Sequence, residues 1–373
     1  MRPRSRFLAV LGAPFAISAL LAAAAAGGGV RQGDEGAGHV ERVLGAMGTS
    51  LVVEVWAPTR PEALAASEAA VRAIARVEER LSTWNEDSEL SALNRTPVGE
   101  PFRLSEDLAR DLLRVRELWR ATGGAFDPSV GALVGTYGLR SGGRTPTEAE
   151  LEEARSGVGF GALWIQGRTA IRTNPGLRLE EGGFGKGVGL DAGLFALDTA
   201  GATRARIDLG GQVALFGTGL RDEPLVLALA DPRDRTRGVL ELELHSGSLA
   251  TSGNSERGIT VAGERRSHIL DPRAGVPAQD FGSVTVWAPD AIDADALSTA
   301  LFVLGPAEAL SFASATDREL EVIVIETPPA EGGPLLATLT PGWEGHVRAL
   351  VPDLELRFSP RPPVEETLHE PKR

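Results

Sequence analysis

The chain of 373 residues contains no cysteine. That excludes disulfides, thiolate catalysis, cysteine-based zinc sites and lipidation of an N-terminal cysteine. Lysine is almost as scarce. Lys186 and Lys372 are the only two, Lys372 lies at the C-terminal end, and every other basic position is arginine. Met47 is the only methionine after the initiator. The formal net charge is -13, and no basic stripe offsets it, which argues against nucleic-acid binding. A local pocket for an anion is still allowed. No repeat period is evident. Gly210-Gly211 does not follow the Gly-x-Gly-x-x-Gly spacing of a dinucleotide fold, and no Gly-x-Ser-x-Gly elbow surrounds Ser252.

The composition that is present, 42% hydrophobic and 24% charged, is that of a globular protein with a real core. Arg2, Arg4 and Arg6 precede an apolar stretch from Phe7 to Leu21, then alanines and Gly27–Gly29. This order reads as a cleaved signal peptide or an N-terminal membrane anchor over residues 1–29. Either form places the body of the protein outside the cytoplasm. Residues 30–40 read as a linker, 41–350 as the folded domain, and 351–373, rich in proline, as a disordered tail.

Apolar spacing predicts helices over Glu62–Leu81 and Ser105–Thr122, and Thr147–Arg155 reads as a short acidic helix, with Ser82–Leu93 as a loop and Gly123–Gly138 irregular. A further helix starts inside a glycine-rich run and covers Val188–Ala200, and another covers Ala294–Leu304. Strand signals recur at Leu51–Trp56, Ala162–Ile165, Ala205–Leu209, Leu225–Ala230, Val239–Leu244, Ile259–Val261 and Ser283–Trp287, with Glu321–Ile325 as a closing strand. This mixed order implies an α+β fold.

The glycine-rich run, Gly182-Gly183-Phe184-Gly185-Lys186-Gly187-Val188-Gly189-Leu190-Asp191, carries the one internal lysine. Glycines let the backbone approach a ligand closely, and a compact ammonium among them suits a phosphate or carboxylate. A glycine-rich surface loop would look the same. Asp293-Ala294-Asp295-Ala296-Leu297-Ser298-Thr299 opens a helix, and the four-residue spacing places Asp295 and Thr299 on one face. Such a pair suits a hard cation such as Mg²⁺, although helix capping accounts for the same aspartates. His268, within Ser267–Gly275, is either a general base or a strand-end histidine before an Asp-Pro turn. Ala125-Phe126-Asp127-Pro128 is either a heterocycle-recognition turn or a plain tight turn.

In order along the chain, these segments resemble the FAD:protein FMN transferase (ApbE-like) family. The resemblance runs through Met47-Gly48-Thr49, Leu81-Ser82-Thr83-Trp84 with Ser88-Glu89-Leu90, and Gly124-Ala125-Phe126-Asp127-Pro128. It continues with Gly185-Lys186-Gly187 and Asp191, Asp208-Leu209-Gly210-Gly211, Ala250-Thr251-Ser252-Gly253 with Glu256-Arg257, His268-Ile269-Leu270-Asp271-Pro272, and Ala294-Asp295-Ala296-Leu297-Ser298-Thr299-Ala300. Each piece alone is weak, and eight in the family's order are strong.

The resemblance implies an α+β fold of mixed or antiparallel sheets and packed helices, with two lobes enclosing a flavin. It also implies an enzyme that moves the FMN moiety of FAD to a threonine or serine of a target protein, with Mg²⁺, releasing AMP. Carried over by position, Met47, Trp84, Ala125, Phe126, Asp127, Glu180, Lys186 and Ile269 would contact FAD. The Gly183 carbonyl, Asp295 and Thr299 would hold Mg²⁺, with Asp293 as a neighbour, and His268 and Asp295 would be catalytic. The acceptor it implies is a periplasm-facing redox pump subunit or a flavin reductase. Departures from the family pattern are Glu180-Glu181 on the approach to the lysine loop, Asn254-Ser255 where an Asp-Tyr pair is common, and the missing lipoprotein cysteine. A flavin-binding protein without transfer activity, or a Mg²⁺-dependent FAD pyrophosphatase, would use the same residues.

Overall fold

In the computed structural model of the chain, the residues described are 38–217, 223–254, 258–261, 264–328 and 333–360. Residues 1–37, Ser255, Glu256, Arg257 and residues 361–373 lie outside them, and with them the expected signal segment, most of the linker, part of the tail and one family motif.

A nine-stranded sheet organises the chain. Its strands are Gly38–Ala46, Thr49–Ala57, Arg204–Leu209, Gln212–Gly217, Gly247–Gly253, Gly282–Ala288, Glu321–Glu326, Leu335–Leu339 and Leu354–Phe358. They lie side by side in chain order. Every pairing is antiparallel except the last, Leu335–Leu339 with Leu354–Phe358, which is parallel. The described residues form eight α-helices: α1 (Arg60–Leu81), α2 (Glu89–Arg95), α3 (Glu106–Ala121), α4 (Gly131–Thr136), α5 (Glu148–Ser156), α6 (Gly185–Thr199), α7 (Ala291–Leu304) and α8 (Pro306–Ala315). None is long and apolar enough to cross a membrane. The α+β fold expected from the mixed element order is the fold found.

The sheet is covered on both faces, which explains its uninterrupted apolar strands. Along Val322-Ile323-Val324-Ile325, successive side chains point to opposite faces. Val322 and Val324 join a core with α3 and α7, while Ile323 and Ile325 join a second core. That second core includes Leu229, Val239 and Leu242 from a small three-stranded sheet built of Leu225–Asp231, Asp234–Leu244 and Val347–Ala349. A third core packs Ala66, Ala70 and Ile74 of α1 and Leu190 of α6 against Val53, Val55 and Ile207.

Five expectations need correction. The strand at Gly38–Ala46 begins inside the segment read as a linker, because it pairs along its whole length with Thr49–Ala57. Glu321–Glu326 does not close the fold. Leu354–Phe358, inside the segment read as a disordered tail, adds a strand beyond it through main-chain pairing with Leu335–Leu339, and main-chain pairing leaves little periodic mark on so short a strand. The expected Ser82–Leu93 loop contains the start of α2, capped by Ser88 Oγ accepting from the Ser91 N–H at 3.0 Å. The expected irregular stretch Gly123–Gly138 contains α4.

Candidate active site

Helix α7 is buried on almost every side, with Ala291–Ser298 and Ala300–Phe302 all buried. Carboxylates on such a helix are costly unless paired. Asp293 and Asp295 are two residues apart and therefore project about 200° from each other around the axis. Asp293 turns to Arg114, which grips it through Nε and Nη2 at 2.8 and 2.7 Å, and to Arg318 Nη1 at 3.0 Å. Burial pushes the Asp293 carboxyl above its ordinary range, and the two arginines pull against that shift. Asp293 is thus committed to a buried ion-pair network, which corrects its reading as a neighbour of the metal.

Asp295 turns the other way, to the lysine loop. Its Oδ1 lies 2.8 Å from Lys186 Nζ, and its Oδ2 accepts from the Gly187 N–H at 3.0 Å. The carboxylate is 4% exposed and the lysine side chain 32%, so the ammonium bridges a buried anion and the solvent. Glycine at 187 is what permits this approach. A Cβ there would sit 2.4 Å from both the Ala291 carbonyl oxygen and Ile292 Cα. The backbones of α6 and α7 therefore touch at this point.

Neither helix supplies its own side-chain cap. Asp295 of α7 instead satisfies an N–H in the first turn of α6. Asp191 of α6 accepts from the N–H groups of Ala291 and Ile292 at 2.7 and 3.0 Å, the first two residues of α7. Burial raises the Asp191 pKa to about 7, against the opposing pull of those two N–H donors.

Beside this junction lie the other expected metal-binding atoms. A Cβ placed on Gly183 would be 3.5 Å from Thr299 Oγ1 and 3.3 Å from the Phe126 ring, so the lysine loop runs along the Thr299 face of α7. The Thr299 hydroxyl donates to the Asp295 carbonyl at 3.2 Å and keeps its lone pairs for another partner. Asp295 and Thr299 offer oxygen donors one helical turn apart, a chemistry that fits a hard divalent cation. Met47 closes the other side. It occupies the two-residue turn before Thr49 at φ 50°, the only positive-φ residue other than glycine among those described, and its N–H is held by Glu78 Oε2 at 2.9 Å. Its side chain lies against Gly185 and Gly189 of α6, where a Cβ would come within 3.5 Å of Cε and 3.0 Å of Sδ respectively.

Around Glu180 and Glu181 is a second polar group. Trp84 is 68% exposed, and the Arg140 guanidinium lies over its ring at 4.4 Å from the centroid. Arg140 Nη2 also donates to both Glu180 oxygens at 2.7 and 2.9 Å, and its Nη1 donates to the Thr83 carbonyl at 3.0 Å. Burial raises the Glu180 carboxyl above its ordinary range, and Arg140 opposes the shift. The Thr83 N–H and hydroxyl reach Glu181 at 3.2 and 2.6 Å, which accounts for the extra acid in this chain.

Asp127 is not open to a ligand. Its Oδ1 accepts from the Ser129 N–H at 2.8 Å and its Oδ2 from the Phe160 N–H at 3.0 Å, in a buried turn. Ala125 and Phe126 are 1% exposed, and Phe126 packs edge-on against Phe184, so their side chains belong to the core. His268 and Ile269 are half-buried between the Glu264–Ser267 strand and Leu270, and the Ile269 N–H is held by Ser267 Oγ at 2.9 Å. Thr83 entered only as part of a family-like segment, and Arg140, Glu78 and the Arg114–Arg318 pair were not anticipated as site or supporting residues. Arginine is common in this chain, and nothing local sets these positions apart.

The ApbE family model matches residues 47–324. Two relatives named FAD:protein FMN transferase are those of Vibrio cholerae, 33% identical over 68% of this chain and 77% of the relative, and of Haemophilus influenzae, 30% identical over 66% and 75%. Among solved structures, the flavin transferase ApbE from Vibrio cholerae superposes with a TM-score of 0.72 at 27% identity, covering 83% of this chain and 99% of that one. The ApbE protein of Thermotoga maritima gives 0.71 at 29% identity, covering 80% and 96%.

Proposed function

This chain belongs to the ApbE family, and from that premise we propose that it transfers the FMN moiety of FAD to a threonine or serine hydroxyl of another protein, releasing AMP. The observation that carries the reading is the 2.8 Å contact between Lys186 Nζ and Asp295 Oδ1, with Gly183 and Thr299 alongside. It sets an ammonium beside hard-oxygen donors, as cleavage of a diphosphate requires.

In the proposed reaction, the acceptor hydroxyl oxygen attacks the FMN phosphorus. The bond from that phosphorus to the bridging oxygen breaks, AMP departs with the bridging oxygen, and the hydroxyl proton passes to a base. Lys186 faces the developing charge on the phosphate oxygens. Asp295 holds the Lys186 ammonium in place and, with Thr299 and the Gly183 carbonyl, would hold Mg²⁺, which when bound supplies charge stabilisation to the transferring phosphoryl group. His268 is the proposed proton acceptor. Trp84, with Arg140 over one face and Glu180 behind, and Met47 on the far side of the loop, would bound the flavin, while Ile269 and the backbone of Ala125, Phe126 and Asp127 would line it. The Arg2–Arg6 and Phe7–Leu21 pattern supports export, with the acceptor a redox protein facing the same compartment.

The test is to incubate the protein with FAD, Mg²⁺ and a threonine-containing acceptor and to weigh the acceptor by mass spectrometry. A gain of one FMN with release of AMP is the expected result. Free FMN plus AMP with an unmodified acceptor would make the protein a pyrophosphatase, and intact FAD would make it a flavin carrier.

A further inference from the structure

We infer that Glu243, His245 and His346 form a second metal site, suited to zinc and neighbouring first-row divalent ions, on the small three-stranded sheet. Topology brings the three side chains together. Glu243 and His245 are two residues apart at the end of Asp234–Leu244, so they project to the same face. The antiparallel register Val347↔Leu242, extended by the Glu243 N–H donating to the His346 carbonyl at 2.9 Å, places His346 directly opposite Glu243. Directly opposite residues share a face as well. Two of the chain's five histidines therefore meet around one carboxylate.

One ligand atom from each residue lies within 4.8 Å of the other two. Glu243 Oε2 is 3.7 Å from His346 Nδ1 and 4.0 Å from His245 Nε2, too far for hydrogen bonds. The rings meet edge to face, with centroids 5.3 Å apart and an 82° interplanar angle, so they do not stack over each other and block the space between. Ligand atoms about 2.0–2.2 Å from a tetrahedral zinc stand roughly 3.3–3.6 Å from one another. Small rotations of three part-exposed side chains close the difference. Two imidazoles and one carboxylate select zinc-class ions over Mg²⁺, whose preference is for oxygen. Three protein ligands leave a fourth position for water.

The site is separate from the Lys186–Asp295 junction. Leu242 and Leu244 of the ligand-bearing strand pack on the sheet face carrying Ile323 and Ile325, whereas α7 packs on the face carrying Val322 and Val324. An ion there would tie Val347–Ala349 to the end of its neighbouring strand, a structural role that does not depend on the proposed flavin chemistry.

The experiment is equilibrium dialysis of tag-free full-length protein against Zn²⁺, with millimolar Mg²⁺ present to occupy the oxygen site. One Zn²⁺ per chain is expected, with a rise in melting temperature on loading. His346→Ala and His245→Gln should each weaken binding by roughly 10- to 100-fold or more, abolish the thermal shift and leave metal-free folding, followed by circular dichroism, intact. Asp295→Ala should leave zinc binding unchanged. Binding that survives both histidine substitutions, binding lost in Asp295→Ala, or no binding at micromolar Zn²⁺ would each overturn the proposal. Should one histidine variant fail to fold, Glu243→Gln serves as the second reading of the same ligand set.

Discussion

Asp191 and Asp295 cap each other's helices. Asp191 leaves α6 to hold the first two N–H groups of α7, and Asp295 leaves α7 to hold the Gly187 N–H of α6. Only the second carboxylate also reaches a cation, Lys186. The two helices are locked in one relative position, and one half of the lock, Asp295, is proposed to position Lys186 at the diphosphate. Rigidity there matters because electrostatic stabilisation depends on groups that need not reorganise as charge develops.

Asp295→Asn should lower FMN transfer by about 100-fold or more, because one preorganised charge at a phosphoryl centre is worth on that order. Lys186 would lose its anionic partner at the same time. Circular dichroism should stay native, and the rate is read by mass of the flavinylated acceptor. A variant with full Mg²⁺-dependent activity would remove Asp295 from the mechanism.

Gly187→Ala should be far more damaging than its single methyl suggests. The added Cβ would sit 2.4 Å from the Ala291 carbonyl and Ile292 Cα, both backbone atoms that no rotamer change can move. Relief requires separating α6 from α7, at a cost of about 1–3 kcal/mol or more. Chemical denaturation should show a lower midpoint with an unchanged m-value, and transfer activity should fall with it. A midpoint equal to that of the parent chain would show that the two helices do not meet as described.

Asp191 makes stability fall with rising pH. Its folded pKa, raised to about 7 by burial, exceeds an unfolded value of about 3.9, so between those limits the folded state holds a proton that the unfolded state has released. The contribution is fully present below about pH 4 and is lost as pH rises through about 7. It amounts to roughly 4 kcal/mol across the window. Asp191→Asn should flatten this part of the profile. Equal slopes for the two proteins in unfolding titrations from pH 4 to 8 would contradict the assignment.

Asp127→Ala tests a structural role. Its carboxylate satisfies the N–H groups of Ser129 and Phe160 in a buried turn, and leaving buried donors unpaired costs about 1–3 kcal/mol each. The variant should melt at a lower temperature while binding FAD, at temperatures where it is folded, within a few-fold of the parent. A selective loss of FAD affinity without loss of stability would return Asp127 to the flavin site.

Much of this architecture was legible from local pattern. The α1 and α3 helices announce themselves through apolar spacing, and the main strands through β-branched runs, because both signals are written within a dozen residues. What escaped has a common cause. Leu354–Phe358 is held by main-chain pairing with Leu335–Leu339, and α2 and α4 are each seven residues or fewer, too short for a period to show. Arg140 reaches Glu180 and Trp84 from residues far along the chain, and one arginine among many carries no mark of that destination.

By itself, the amino-acid order determined the class of fold, the near-solitary lysine in its glycine turn, and the pairing of Asp295 with Thr299 on one helical face. Those follow from backbone periodicity and from glycine's missing side chain, which act over a few residues. Only tertiary structure decided that Asp295 and not Asp293 meets Lys186, 109 residues away, and that Asp127 is used up inside its own turn. The reason is geometric. A helix two residues on has turned by about 200°, and which side of it faces the lysine loop is settled by how α6 and α7 pack, not by any property of either aspartate.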